Sequence, residues 1–227
     1  NAIGDITLSS GNDIEIEAAA LAAIGKLEVT AAGGVNVKAV AQQHNQQSQS
    51  SSRYTQRWEN NDESYTRTIS NTQSISKTSS DYKGARLSGD GVVVSAGGDL
   101  TAQAASIESA ADVALQAKNI NLLSLSANNS SSTSNIGNSR GNTRVSRSNT
   151  TQQKSAITAQ GDIIVQAEKE IDVLSSYLSA KENLNLAAGE NILVRSTIES
   201  SNYNTSEKNR FSNKTTQSSS VLNAGQN

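Results

Sequence analysis

Residues 94–117 read VSAGGDLTAQAASIESAADVALQA. Aliphatic residues return at Leu100, Ile107 and Val113, and each opens a short run in which every second residue is apolar or small. A period of two belongs to strands with one buried face; a helix would space its apolar residues three and four apart. Asp99 and Asp112 stand just before two of these runs, where the chain has to turn. The stretch therefore spells strand and corner in alternation, in segments too short to be stable alone.

The same spelling recurs along the whole chain. The first aliphatic of each run falls at Ile6, Ile14, Leu27 and Val35, then at Val92, Leu100, Val113 and Ile120, then at Ile163, Ile171, Leu184 and Ile192. The spacings are 8, 13 and 8 residues in the first and third groups and 8, 13 and 7 in the second. Each gap of 13 holds one more aliphatic, Leu21, Ile107 or Leu178, so one circuit takes 21 residues and three strands. Strands this short are stable only when the next circuit stacks on them. The sequence thus predicts an all-β fold, a right-handed parallel β-helix with three short strands per 21-residue coil. Gly and Asp or Asn are expected at the corners because they tolerate positive φ and cap turns.

Composition agrees. Of 227 residues 34% are hydrophobic and only 3% aromatic, so the core has to come from thin layers of Ile, Leu, Val and Ala. The absence of Cys rules out disulfides, thiolate metal sites and cysteine nucleophiles. A net charge of −2 gives no electrostatic footprint for nucleic acid, and no nucleic-acid partner is expected. The longest apolar stretch, near Ala18 to Ile24, is far below the roughly 20 residues that cross a bilayer as a helix. The chain opens within a repeat and without a signal segment, and is expected to be one solenoid piece of a longer protein.

Each pair of circuits is followed by a polar stretch. Solenoid coils are assigned to residues 1–39, 92–124 and 163–195, and insertions rich in Ser, Asn, Gln and Thr to 40–91, 125–162 and 196–227. With a turn at Asn61-Asp62, Trp58 faces Tyr65, Gln56 faces Arg67 and Tyr54 faces Ile69, while Thr55 faces Thr68 and Arg57 faces Thr66 on the other side. Aromatic pairs on one face and Thr pairs on the other are an antiparallel hairpin pattern. The third insertion is expected to pair Tyr203 with Phe211 around Ser206-Glu207-Lys208, and the second Ile136 with Val145, with Gly137 and Gly141 near the tip. The predicted fold is therefore a β-helix carrying extra-helical antiparallel β-hairpins. Leaving from equivalent positions, these are expected to pack edge to edge as an outer sheet.

Six aromatics, Tyr54, Trp58, Tyr65, Tyr82, Tyr203 and Phe211, lie in the insertions. The solenoid segments carry an excess of acid and the insertions an excess of base, including Arg140, Arg144, Arg147 and Lys154 in the second. Binding surfaces are enriched in aromatics and Arg. Tyr54, Trp58, Tyr65, Arg67, Arg140, Arg144, Arg147, Tyr203 and Phe211 form the candidate interaction surface, set against a purely structural role in holding hairpins together.

Catalytic constellations are not found. His44 is the single histidine, in a Gln-rich run, so a His-based triad or zinc site lacks parts. Asp5, Asp13, Asp99, Asp112 and Asp162 sit at corners, but equivalent corners hold Lys26, Gly34, Asn119, Glu170, Asn183 and Asn191, so turn capping is expected rather than a calcium ladder. The solenoid acids are scattered and the aromatics lie elsewhere, unlike a glycan-cleaving cleft. No enzyme activity, metal, cofactor or small-molecule substrate is predicted.

The repeat in residues 94–117, echoed by GDIIVQA at 161–167 and LNLAAGENI at 184–192, resembles the haemagglutinin repeat of filamentous-haemagglutinin-like exoproteins. The polar runs beginning at Val40 and Ala127 resemble that family's habit of entering Asn- and Ser-rich stretches after two circuits. The resemblance implies a large secreted Gram-negative filament, exported by an outer-membrane partner in two-partner secretion and displayed on the cell surface. Long Ser- and Asn-rich insertions are similar to the second haemagglutinin region of contact-dependent growth inhibition (CdiA-type) effectors. That likeness implies a role in carrying a C-terminal toxin across the target-cell outer membrane. The alternative is an adhesin segment that binds a receptor on a host or neighbouring cell. Edge-to-edge self-association is expected from strand edges left open at the two ends.

Overall fold

The computed structural model describes residues 4–60, 63–137, 142–206 and 210–225, in which every regular element is a strand. The chain passes through six coils. The first consists of β1 (Ile6–Ser10), β2 (Ile14–Glu17) and β3 (Ala20–Ala22). The second runs through β4 (Lys26–Ala31) and β5 (Val35–Lys38), departs as a hairpin of β6 (Val40–Asn60) and β7 (Glu63–Lys83), and closes with β8 (Arg86–Gly89). The third is β9 (Gly91–Ala96), β10 (Leu100–Gln103) and β11 (Ser106–Ser109). In the fourth, β12 (Val113–Leu123) covers two sides, the hairpin is β13 (Leu125–Gly137) with β14 (Thr143–Gln153), and β15 (Ala156–Ala159) closes the coil. The fifth is β16 (Ile163–Leu174) and β17 (Tyr177–Ala180). The sixth is β18 (Leu184–Ala188) and β19 (Asn191–Arg195), the hairpin β20 (Thr197–Thr205) with β21 (Arg210–Ser218), and β22 (Val221–Asn223).

Successive coils pair in parallel and in register. On the first side Ile6, Leu27, Val92, Val113, Ile163 and Leu184 form one column, each paired with the next. On the second side the column is Ile14, Val35, Leu100, Ile120, Ile171 and Ile192. On the third it is Leu21, Leu87, Ile107, Ile157, Leu178 and Leu222. Members of all three columns merge into a single core of Ile, Leu, Val and Ala. The middle coils bury these side chains completely, whereas Ile6, Ile14 and Leu21 in the first coil and Leu184 in the sixth are only half-buried. The fold is all-β and consistent with a β-helix. Its coil sheets are parallel and a further six-stranded sheet, made of the hairpins, is antiparallel.

The third column corrects the sequence reading at three places. Arg86–Gly89, Ala156–Ala159 and Val221–Asn223, grouped with the polar insertions by composition, are coil strands. Each contributes one residue to the column, Leu87, Ile157 or Leu222, too little for a periodic signal. The departure from 8 to 7 residues between Val113 and Ile120 also finds its cause. β12 and β16 pair in register up to Ala117 and resume at Asn119, and β16 carries one more residue than β12 across that shift.

The corner chemistry differs from expectation in part. Asp5 Oδ1 accepts from the Lys26 N–H at 2.8 Å, Asp13 Oδ1 from Gly34 N–H at 2.6 Å, and Asp162 Oδ1 from Asn183 N–H at 2.8 Å, each 21 residues further on. The acids therefore cap the next coil. Positive φ, however, is not supplied by glycine. No described glycine has it, while Ala18, Ala104 and Ser175 do, at 47°, 48° and 45°. These three stand at the corner between the second and third sides of coils one, three and five. In coils two, four and six the same corner is where the chain leaves as a hairpin.

That alternation matches two dimensions. Neighbouring strands lie about 4.8 Å apart, so two coils rise about 9.6 Å, and a two-stranded hairpin occupies about the same width. One hairpin for every two coils fills the space beside the stack. The hairpins pair as β6-β7-β13-β14-β20-β21, an unbroken sheet along the flank of the coils.

At the corner between the second and third sides, serines bond to the strand ends, Ser155 and Ser176 fully buried and Ser220 partly so. Ser155 Oγ lies 3.0 Å from Ala102 O and 2.8 Å from Leu123 O, and accepts from Ala105 N–H at 3.2 Å. Ser176 Oγ lies 3.0 Å from both Leu122 O and Leu174 O, and Ser220 Oγ lies 3.1 Å from Val173 O and 2.8 Å from Arg195 O. Each hydroxyl thus serves the strand end of its own coil and of the coil beneath. Leu123 O also accepts from Ala104 N–H at 2.9 Å, Leu174 O from Ser124 N–H at 3.1 Å and Arg195 O from Ser175 N–H at 3.0 Å, so the hydroxyls give these strand-end carbonyls a second partner.

Candidate interaction surface

The first hairpin has the register the sequence implies: Trp58 pairs with Tyr65, Gln56 with Arg67, Tyr54 with Ile69, Thr55 with Thr68 and Arg57 with Thr66. The turn at Asn61-Asp62 lies outside the described residues. The other two hairpins differ. Val145 pairs with Thr133, and Ile136 pairs instead with Thr72 of the first hairpin. Tyr203 pairs with Ser212 and Phe211 with Asn204, one residue away from the expected match. A one-residue slip turns a side chain to the opposite face. Tyr203 and Phe211 therefore point away from each other. Arg140, Gly141 and Glu207-Lys208 lie outside the described residues.

Directly paired residues share a face and alternate along each strand. Following the pairing from strand to strand sorts the candidates. Tyr54, Trp58, Tyr65, Arg67, Arg147 and Tyr203 share one face, and Arg144 and Phe211 lie on the other. Distance divides the first group again. The last pair of β7 with the second hairpin is Asn71 with Gly137, so beyond Asn71 β6 and β7 continue together as a ribbon. Tyr54, Trp58 and Tyr65 lie on that ribbon, each about half exposed. The row containing Arg147 and Tyr203 meets β7 at Lys77, twelve residues from Tyr65, or about 40 Å along an extended strand. Thus the single surface expected from composition consists of a distal aromatic tip and a proximal polar groove, with Arg144 and Phe211 behind.

At the tip, the Tyr65 hydroxyl donates to the Glu63 carboxylate, which holds the phenol pKa above its ordinary value. The ion pair of Arg57 with Glu59 at 3.3 Å is exposed and contributes little. Ile69 is buried nearby, at 5% exposure.

The groove crosses all three hairpins and has a volume of about 640 Å³. Its central row runs Lys77, Ser131, Arg147, Tyr203 across β7, β13, β14 and β20. The Arg147 guanidinium lies 5.2 Å from the centroid of the Tyr203 ring, a cation–π contact between directly paired residues. Asn129 and Asn149, paired with each other, line the next row. Among the described residues no acid lines the groove, and neither Lys77 nor Arg147 has an acidic partner. Asn129 Oδ1 is buried without a hydrogen-bond partner. Behind the sheet, Arg144, Phe211 and Asn213 line a second hollow of about 530 Å³. Phe211 is 77% exposed.

Lys77, Asn129 and Asn149 were not singled out from the sequence. Each is an ordinary polar residue in a polar run, and only the pairing of three separate hairpins puts them beside Arg147. Among the described residues no group of three or more His, Cys, Asp or Glu is placed to hold a metal ion.

The family model for the hemagglutinin repeat matches residues 136–227, which take in β14 to β22. This match supports the filamentous-haemagglutinin-like resemblance, a repeat type that is structural or adhesive rather than enzymatic and typical of secreted cell-surface filaments. Comparison with curated proteins and with solved structures gives no match.

Proposed function

We propose that this chain is a non-catalytic segment of a secreted, cell-surface filament that helps deliver a C-terminal toxin across the outer membrane of a target cell. The observation that carries it is the double architecture: a stiff stack of coils and, fastened along it, an antiparallel sheet of polar hairpins. A plain filament needs only the stack. A continuous sheet, polar on both faces and reaching outward through a ribbon tipped by Tyr54, Trp58 and Tyr65, gives the filament a surface able to engage another membrane's components. Right-handed winding belongs to the same proposal, because parallel strand crossovers strongly favour that hand. So does export through an outer-membrane partner.

Edge-to-edge association is also part of it. β6 and β21 are the outermost strands of their sheet. A second reading, an adhesin segment that binds a receptor, is favoured by the acid-free groove beneath Arg147.

The test is an in-frame deletion of residues 1–227 from the parent exoprotein. Undiminished surface display and target-cell attachment with loss of target-cell inhibition is the expected result. Loss of attachment would favour the adhesin reading, and unchanged inhibition would overturn the delivery proposal.

A further inference from the structure

We propose that the groove across the three hairpins binds an anionic saccharide, with Arg147 and Lys77 meeting its acidic groups and Asn129 and Asn149 its hydroxyls. The site goes beyond the delivery reading and does not depend on it.

Three observations lead to this class of ligand. The first is charge. Lys77 and Arg147 lie in one row of the same face, two strands apart, so their backbones are separated by about 9.6 Å. No acid lines the groove among the described residues. Two cations without a counter-charge over a shared hollow favour a ligand bearing more than one negative group. The second is the rest of the lining, which is Ser, Thr and Asn with a single aromatic, Tyr203. An apolar ligand would strip these groups of water without replacing their hydrogen bonds. A ligand rich in hydroxyls restores them in both directions, since a hydroxyl donates and accepts. The third is Asn129, whose buried Oδ1 lacks a donor in the structure. Rotation of that amide towards the groove would present both its carbonyl and its N–H₂ to a neighbouring sugar hydroxyl.

Tyr203 has a positioning role. With the guanidinium of Arg147 over its ring, one face of the ring is occupied, so it holds the cation over the groove rather than serving as a stacking platform. Only the joined sheet makes this site. Lys77 comes from the first hairpin, Asn129 and Arg147 from the second and Tyr203 from the third.

The test uses the whole chain and three probes of matched length: a hexamer of galacturonic acid, maltohexaose and hexaglutamate. Calorimetric titration is expected to show binding of the acidic sugar, at least tenfold weaker binding of the other two, and weakening with added salt. Arg147→Gln and Lys77→Gln should each lower affinity for the acidic sugar at least tenfold, Tyr203→Ala should weaken it and Tyr203→Phe preserve it. Arg144→Gln, on the opposite face, should leave it unchanged. All four residues are at the surface of the sheet, and an unaltered thermal transition shows that each of the five variants is folded. Failure of the acidic sugar to bind, hexaglutamate binding as well as the sugar, or an equal loss from Arg144→Gln would each overturn the proposal.

Discussion

The carboxylate of Asp13 accepts a 2.6 Å hydrogen bond from the backbone N–H of Gly34, and the residue before Gly34 is a glycine because that carboxylate occupies its side-chain space. A Cβ on Gly33 would stand 2.1 Å from Asp13 Oδ1. Gly25 stands in the same relation to Asp5 and Gly161 to Asp112, so these corner glycines and acids record contacts between coils.

Gly33→Ala is expected to destabilise by about 1–3 kcal/mol, the range for overpacking. Gly11→Ala, with nothing near its would-be Cβ, should be neutral or slightly stabilising. Urea denaturation of the single variants, and of Gly33→Ala with Asp13→Ala, checks the mechanism. The double variant should lose less than the sum of the two single ones.

Position along the stack sets the cost of a core change. Leu115, in the fourth coil, is 1% exposed, whereas Ile14 in the first is only half-buried. Leu115→Ala should cost about 2–5 kcal/mol and Ile14→Ala clearly less. Because stability in such stacks passes between nearest neighbours, hydrogen exchange after Leu115→Ala should accelerate most in coils three to five.

Ser155→Ala removes a hydroxyl that serves Ala102 O, Leu123 O and Ala105 N–H at once. Leu123 O keeps the Ala104 N–H, so the expected loss of about 1–3 kcal/mol comes chiefly from the buried Ala105 N–H left without the hydroxyl. Amide exchange in β14 should rise with it, since the second hairpin rejoins the stack at this residue.

Ala18 sits at φ 47°, where a side chain is unfavourable by roughly 1–2 kcal/mol. Ala18→Gly relieves that strain while adding freedom to the unfolded chain. A net stabilisation of up to about 1 kcal/mol is expected in thermal melts. A decrease would show that the corner is not strained.

The Lys38 ammonium, 2.6 Å from Glu15, holds the glutamate pKa below its ordinary value and has its own raised in return. Any stability Glu15 contributes is present above its unfolded pKa and lost as pH falls through the lower folded one. For Lys38 it is present below the ordinary lysine value and lost as pH rises through the raised one. Carboxyl chemical shifts of Glu15 should titrate below the normal glutamate midpoint and return towards it in Lys38→Gln. The pair is exposed, so added salt should have the same direction of effect.

Much of this was written locally. Alternating aliphatics, a 21-residue circuit and inward columns follow from the sequence because a strand's buried face repeats every two residues and a stacked coil repeats its own pattern. The register of the first hairpin was equally legible, since Tyr54, Trp58, Tyr65 and the facing threonines allow only one good alignment. What a period cannot carry was decided by tertiary structure. Leu87 and Ile157 are lone large apolar residues in polar surroundings, and Leu222 has only the exposed Val221 beside it; they join the core because neighbouring coils supply the rest of the column. The second and third hairpins consist of Ser, Thr and Asn that pair almost as well one residue out of step, so their register follows from the neighbouring hairpin's hydrogen bonds. The groove of Lys77, Asn129, Arg147 and Tyr203 could not be read in advance for the same reason: its residues meet only when two coils and one hairpin occupy the same length along the stack.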